Sequence, residues 1–526
     1  YSKSAPTVIR KTVRLPETQD GEPICQSWRQ MVNIGYAHDG LIGSVQEQLR
    51  RAQKEIGFTY LRFHGIFDDD MHIYQENEDG SPWFNFAYAD LLFDFIQEIG
   101  LIPYVELGYM PSKLAKTQYT VFDNPAICIS MYNDSEKWQA LVQACLSHWI
   151  DKYGLANVRK WRFTVFSMNY SRLQYTAPVM SHEDYCKMFE VTYQTIKMID
   201  PELKLGGAGC FPGIALAPDG LRRFLLDVKE LGCPPDFITV QCYPHEDFSQ
   251  DSDFFYFTSK QTSMPSVLSK DKNFTLHFLQ RLNRIRQEIG FADCPVVVEE
   301  WNSTLWQRDL SGDTCYKAAW LIKNVLQNYD QAEYLGYWLL TDFLDEWLVP
   351  GGVFHGGYGL FTINGIPKAG YQALRMLGRI GERKIASGEG WFVSRTENTI
   401  QVYLYHYCHY DALYRYRYQK LTDPHDAYKV FEVDGRLKIE LELCGLDPGI
   451  YRQESWTLNR SAGSTFDKWL EMEAPRVMTP EDLNYLNDMA QPLCKIRDTD
   501  TAGALHLQTE LEPHEVRLIV LKKRDG

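Results

Sequence analysis

A (β/α)8 (TIM) barrel with an accessory antiparallel β-sandwich is the α/β fold class that this sequence predicts. Three observations carry that reading. Short apolar runs alternate with amphipathic stretches from about residue 30 to 375. The runs number eight, and eight β-then-α units of this length close a barrel. Beyond about residue 388 the period falls to two, with Pro, Gly and Asp turns between runs.

The strand candidates begin with MVNIG (31–35), FTYLRF (58–63), IPYVEL (102–107) and WRFTVF (161–166). They continue with LKLGG (203–207), FITVQ (237–241), VVVEE (296–300) and LGYWLL (335–340). Helical periodicity fills the gaps, as in VQEQLRRAQKEIG (45–57), ADLLFDFIQEIG (89–100), EKWQALVQACLSHWIDKYG (136–154) and FTLHFLQRLNRIRQEIG (274–290). The first two of these place Gly57 and Gly100 just past a helix end, where glycine takes the left-handed backbone without steric cost. TIQVYLYHY (399–407), RLKIELELC (436–444) and VRLIVLKK (516–523) alternate as half-buried strands do, and LDPG (446–449) marks a turn. TVIRKTVRL (7–15) alternates in the same way and is expected to join them, so the barrel sits between two parts of one sandwich. The expected division is 1–17 as sandwich strand, 18–385 as barrel, and 386–526 as C-terminal sandwich. YRYRYQK (414–420) interleaves Arg with Tyr, and a half-exposed strand explains it better than a nucleic-acid contact.

Composition excludes several classes. The 526 residues carry 54 Lys+Arg against 69 Asp+Glu, a net charge of 54 − 69 = −15. That balance argues against nucleic acid being contacted by this chain itself, because phosphate contacts need clustered cations. A hydrophobic share of 44% and a charged share of 23% fit a globular chain. No apolar run approaches the roughly 20 residues of a membrane span. The twelve cysteines form no close pair, so zinc and redox motifs are absent, and no metal or other cofactor is expected. Reduced thiols and the lack of a secretory segment suggest a cytoplasmic location. The chain opens at Tyr1 rather than Met, which suggests a piece of a longer protein. The aromatic share of 14% exceeds what a core needs, and sugar clefts often present such rings.

Barrel enzymes place reactive groups at the C-terminal ends of strands. The second barrel strand ends in His64 and Asp68 to Asp70, the third in Glu106, the seventh in Glu299 and Glu300, and the eighth leads to Trp338, Asp342 and Glu346. Structural alternatives stand beside each. His64 can be a satisfied core histidine, and Glu106 a buried carboxylate paired with Arg62. The acidic run lacks the spacing and distal Glu of a calcium loop. The Glu299-Glu300-Trp301-Asn302 stretch is harder to explain structurally, because a barrel core has little room for an unpaired charge. Period-two alternation lets only one of Glu299 and Glu300 face the axis.

These residues resemble glycoside hydrolase family 39, the β-xylosidase and α-iduronidase family. The likeness runs through YLRFHGIFDDDMHIY (60–74), FDFIQEIGLIPYVELGYMPSKLA (93–115), EEWNS (299–303) and GYWLLTDFLDEW with GGVFHGGYGLFTINGIPKAGY (336–371). The resemblance implies a retaining glycosidase with two carboxylates about 5 Å apart. It places the nucleophile on Glu300. It implies sugar-site roles for His64, Glu106, Tyr243, Trp301, Asn302, Trp338, Glu346, Phe354 and His355, with Ser167 and Gln241 at two further positions.

Two departures stand out. The family motif after the fourth strand reads like F-E-V-W-N-E-P-N, whereas this chain has Phe163-Thr164-Val165-Phe166-Ser167-Met168-Asn169-Tyr170, so the acid/base position is Met168. A thioether cannot pass a proton, and general acid–base catalysis is worth about 10²–10⁴-fold. Gln241-Cys242-Tyr243 replaces a His-Ala-Tyr-like run. The expected function is therefore a sugar-binding domain lacking hydrolytic activity, the xylo-oligosaccharide sensor of a transcriptional regulator. NIGYAHDGL and FHGIFDDDM resemble the family-39-like domains of bacterial AraC-type regulators. In that reading the DNA-binding segment lies outside this sequence, and dimerisation would suit the role without any interface being specified. The alternative is an active retaining β-xylosidase using Glu300, with Glu106 or Glu346 as the available acid.

Overall fold

The computed structural model describes residues 6–16, 21–118, 120, 126–166, 180–210, 220–247, 266–344, 352–417, 420–433 and 435–524. Met168, Ser167 and Glu346 lie outside the described residues.

The first strand, β1 (Thr7–Arg14), precedes the barrel. The barrel strands are β2 (Met31–Tyr36), β3 (Tyr60–His64), β4 (Ile102–Leu107), β5 (Arg162–Val165), β6 (Leu205–Cys210), β7 (Phe237–Cys242), β8 (Val296–Trp301) and β9 (Tyr334–Tyr337). They close in the order β7-β8-β9-β2-β3-β4-β5-β6, and the pairings are parallel. Among the described residues a main helix follows each strand in turn: α1 (Gly43–Glu55), α2 (Ala87–Glu98), α3 (Ser135–Tyr153), α4 (His182–Ile199), α5 (Gly220–Glu230), α6 (Phe274–Glu288), α7 (Cys315–Asn328) and α8 (Ala369–Leu377). Strands β2, β3, β7 and β8 are buried at every position, because helices cover one face and the barrel interior the other. Gly57 and Gly100 do close α1 and α2 with φ of 77° and 78°, and Gly290 ends α6 the same way at 78°.

The bottom of the barrel is filled by Met31, Tyr60, Tyr104, Phe237, Val297 and Tyr334, one from each of six strands. Gly206 on β6 leaves room for the Phe237 ring, which a Cβ would overlap. Above this layer the interior turns polar, and that transition locates the site.

The C-terminal strands are β10 (Arg383–Gly388), β11 (Trp391–Arg395), β12 (Thr399–Tyr405), β13 (Leu437–Cys444), β14 (Gly449–Leu458), β15 (Leu493–Thr501), β16 (Ala504–Leu511) and β17 (Val516–Lys523). One sheet runs β1-β13-β16, with β1 parallel to β13 and β16 antiparallel to it. The other runs from the short Glu22–Pro23 strand through β10-β11-β12-β17-β14-β15. Alternate residues of facing strands, such as Val393, Val402, Ile439, Leu441 and Leu521, form their shared core. Residues 414–417 differ from the strand expected there, since Ala412–Arg417 is helical. Side-chain anchors override the alternating pattern: Tyr414 donates to Asp309, and Arg415 bonds the Leu268 carbonyl at 2.7 Å and Glu246 at 3.0 Å.

A buried ion triad joins the last two barrel loops. Lys368, at the start of α8, lies 2.5 Å from Asp313 and 2.7 Å from Asp342. The two carboxylates also accept the Gly356 and Gly359 N–H groups at 2.7 and 2.8 Å. Burial would lower the Lys368 ammonium, but the two aspartates raise it above its ordinary value. Lys368→Met leaves two buried carboxylates facing each other, and urea unfolding at neutral pH should show a loss of about 3–5 kcal/mol. A loss below about 1 kcal/mol would mean that water or rearrangement compensates the pair.

Candidate active site

Arg62, on β3, is fully buried and organises the polar layer. Its Nη2 donates to Glu106 Oε2 at 2.7 Å, and its Nη1 donates to Glu300 Oε1 at 3.0 Å and to Asn33 Oδ1 at 3.1 Å. Glu299 Oε1 lies 3.6 Å from the same Nη2. Asn33 in turn donates to the carbonyls of Glu299 and Tyr337, at 2.9 and 3.1 Å, so one side chain pins three neighbouring strands under the guanidinium.

Both Glu299 and Glu300 face inward, which corrects the expectation that alternation permits only one. The reason is a β-bulge. Val240 pairs with Val298, but the next residue of β7, Gln241, pairs with Glu300, so two residues of β8 stand opposite one step of β7. The same irregularity shows against β9, between Val298 and Trp301. Having turned Glu300 inward, the bulge hands Trp301 to the outer face. The Trp301 ring lies 4.5 Å from Trp320 on α7, and its N–H points to Thr275 on α6.

Every oxygen of Glu300 is engaged. Oε1 accepts Arg62 and lies 3.2 Å from His64 Nε2, while Oε2 accepts the Tyr243 hydroxyl at 3.0 Å. Burial alone would push this carboxyl up, but the Arg62 charge and the His64 hydrogen bond outweigh it and hold the pKa down at about 2. His64 meets Glu106 Oε1 through Nδ1 at 2.7 Å. Burial would lower the imidazole, yet Glu106 raises it to about 10 against the opposing Arg62 charge. It is therefore an imidazolium donating to both carboxylates. Glu106 is raised by burial and lowered by His64 and Arg62, with a net shift below its ordinary value. Glu299 has Tyr104 as its hydroxyl donor at 3.2 Å, and burial pushes it up to about 7, with Arg62 opposing and the other two carboxylates adding.

Of the residues singled out in the sequence, His64, Glu106, Tyr243 and Glu300 converge around Arg62. Trp338 joins them, its ring centroid 5.0 Å from that of His64. Gln241 is buried beside Glu300, its Oε1 without a hydrogen-bond partner among the described residues. Four other residues are not brought to this cluster. Trp301 faces the helices, and Asn302 donates to the Trp338 carbonyl while accepting from Lys317, a lysine that burial lowers to about 7. Phe354 packs on Phe466 and Trp469 of the Thr465–Glu471 helix. His355 is half-buried and acts on Asp342 rather than on Glu300. The acidic run serves the loops: Asp68 accepts the Tyr109 N–H at 2.9 Å and Asp69 the Ser112 N–H at 3.0 Å.

The chain belongs to glycosyl hydrolase family 39, whose model matches residues 11–506. It is 26% identical to a β-xylosidase of Geobacillus stearothermophilus, over 98% of this chain and 96% of that one. A β-xylosidase of Caldicellulosiruptor saccharolyticus is 34% identical over 68% of this chain and 69% of its own. The crystal structure of a monomeric β-xylosidase from Caulobacter crescentus CB15 shares the fold, with a TM-score of 0.84, 22% identity, and coverage of 99% of this chain and 100% of that one.

The two strand-end glutamates make opposite contributions to stability as pH changes. Glu300 is held below its ordinary 4.5, so its stabilisation is fully present above about pH 4.5 and fades as pH falls toward 2. Glu299 is raised above 4.5, so stability declines as pH rises from there through about 7. Removing the guanidinium as Arg62→Met strands three carboxyls. Urea unfolding should show a loss of about 3–5 kcal/mol at pH 7, and a clearly smaller loss near pH 4, where those carboxyls take protons. Equal losses at both pH values would show that Arg62 acts through packing rather than charge.

Proposed function

We propose that this chain is a retaining β-glycosidase of the β-xylosidase type, with Glu300 as its nucleophile and its sugar pocket within residues 18–385. One observation carries the reading. Glu300 is an ionised carboxylate at a barrel strand end, with both oxygens oriented by Arg62, His64 and Tyr243. Such a group can attack an anomeric carbon as the glycosidic C–O bond breaks, leaving the sugar esterified to Glu300 until water releases it. The relatives named β-xylosidase support a xyloside as the substrate class.

Proton transfer is the weak step. The sequence has Met168 where the family resemblance expects the acid/base, and Glu106 is held below the ordinary carboxylate range by His64 and Arg62. A leaving group that needs no proton avoids the first penalty, whereas water attack on the glycosyl-enzyme still lacks a base. Hydrolysis of an activated aryl β-xyloside should then begin with a burst of phenol and continue slowly. Glu300→Gln should remove the burst and lower turnover on the order of 10⁴-fold or more. Stopped-flow absorbance checks both, and a burst that survives in Glu300→Gln rules out this assignment.

Met168 also favours a second reading, in which the pocket binds a xylo-oligosaccharide and returns it intact as the sensing part of a cytoplasmic AraC-type regulator. Hydroxyl recognition survives loss of the acid, because buried polar groups still penalise a wrong ligand. Calorimetric titration with xylobiose separates the two readings. Saturable binding with the sugar recovered intact, and no burst from the aryl xyloside, favours the sensor; release of xylose favours the enzyme.

A further inference from the structure

We propose that Glu299 is a positioning residue for the nucleophile, a second claimant on Arg62 whose charge decides how firmly the guanidinium holds Glu300. This deepens the glycosidase reading and rests on Glu300 being its nucleophile. The geometry starts from the bulge, which sets two adjacent carboxyls of one strand against a single guanidinium. Glu299 is the deeper of the two, 1% exposed, with the Tyr104 hydroxyl as donor on one oxygen and Arg62 3.6 Å from the other.

The charged and titratable groups around it come from three strands. Arg62 and His64 belong to β3, Tyr104 and Glu106 to β4, and Glu300 to its own strand β8. Asn33 of β2 touches only its carbonyl and carries no charge. With Glu299 neutral, two cations face two anions and the buried layer is balanced. With Glu299 ionised, a third anion competes for Nη2, which already serves Glu106 at 2.7 Å. Glu299 is the member best placed to carry the proton, since its approach to Arg62 is the longest of the three carboxylates and it makes no contact with His64 within bonding distance. Burial and the neighbouring carboxylates put that proton's loss near neutrality, at about 7.

Ionisation draws the shared guanidinium charge toward Nη2, which weakens the hold of Nη1 on Glu300, and it adds negative charge near a transition state that is oxocarbenium-like. Both effects speed the attack on the anomeric carbon. The burst rate with an activated aryl β-xyloside should therefore rise on the order of tenfold as pH passes through about 7. That limb should be absent in Glu299→Gln, which stays neutral, and should return in Glu299→Asp. A limb of unchanged size and midpoint in Glu299→Gln overturns the inference while leaving Glu300 as nucleophile. An infrared titration decides the matter without turnover. The wild-type chain should lose a protonated-carboxyl C=O band across neutral pH, and Glu299→Gln should lack that band. A wild-type chain with no such band, or a band that persists in Glu299→Gln, contradicts the proposal, whereas loss of all burst activity with the band intact contradicts only the enzyme reading.

Discussion

Burying the Arg62 guanidinium in the upper layer of the barrel, out of reach of bulk water, obliges the surrounding strands to supply anions and acceptors. They supply Glu106, Glu299, Glu300 and Asn33 from three neighbouring elements. An isolated buried cation is so costly that partner and position are selected together. Each carboxylate is then less basic or more basic according to its share of that charge. Glu300, bonded to Arg62, His64 and Tyr243, is driven low, while burial drives Glu299 high because Arg62, at its longest approach, offsets only part of that cost. One guanidinium and a buried setting thereby separate two chemically identical neighbours into an ionised carboxylate and one that holds its proton to near neutrality.

The bulge in β8 is what makes that separation possible. A regular strand would send Glu299 inward and Glu300 into the helical shell, or the reverse. The extra residue instead turns both inward and reverses the phase of the residues after Glu300. Trp301 and Asn302 consequently serve the packing between β8, α6 and α7 rather than the pocket, and Asn302 finds a buried lysine as its partner. The inward pair of glutamates and the shell packing are therefore set by the same backbone irregularity.

Much of this was legible in the sequence, for identifiable reasons. The barrel announced itself because each apolar run was bounded by a helix-period stretch, and the glycines after α1 and α2 fixed two helix ends. His64, Glu106 and Glu300 stood out as charged or polar side chains at strand ends. Arg62 and Asn33 offered the same signal, a polar residue inside an otherwise apolar strand, and were the residues most easily underweighted. The bulge was not legible, because alternation assumes regular pairing and register depends on the partner strand. The helix at Ala412–Arg417 was missed for a related reason, since Tyr414 and Arg415 answer to distant acceptors rather than to their own period.

In the proposed reaction Glu300, held ionised by Arg62, forms a covalent bond to the sugar. Incubation with an activated 2-deoxy-2-fluoro-β-xyloside, followed by proteolysis and mass spectrometry, tests it most directly. A single fluoroxylosyl adduct on the peptide carrying Glu299 and Glu300, localised to Glu300 by fragmentation, is the predicted result. An unmodified chain, or an adduct on Glu106 or Glu299, would contradict it.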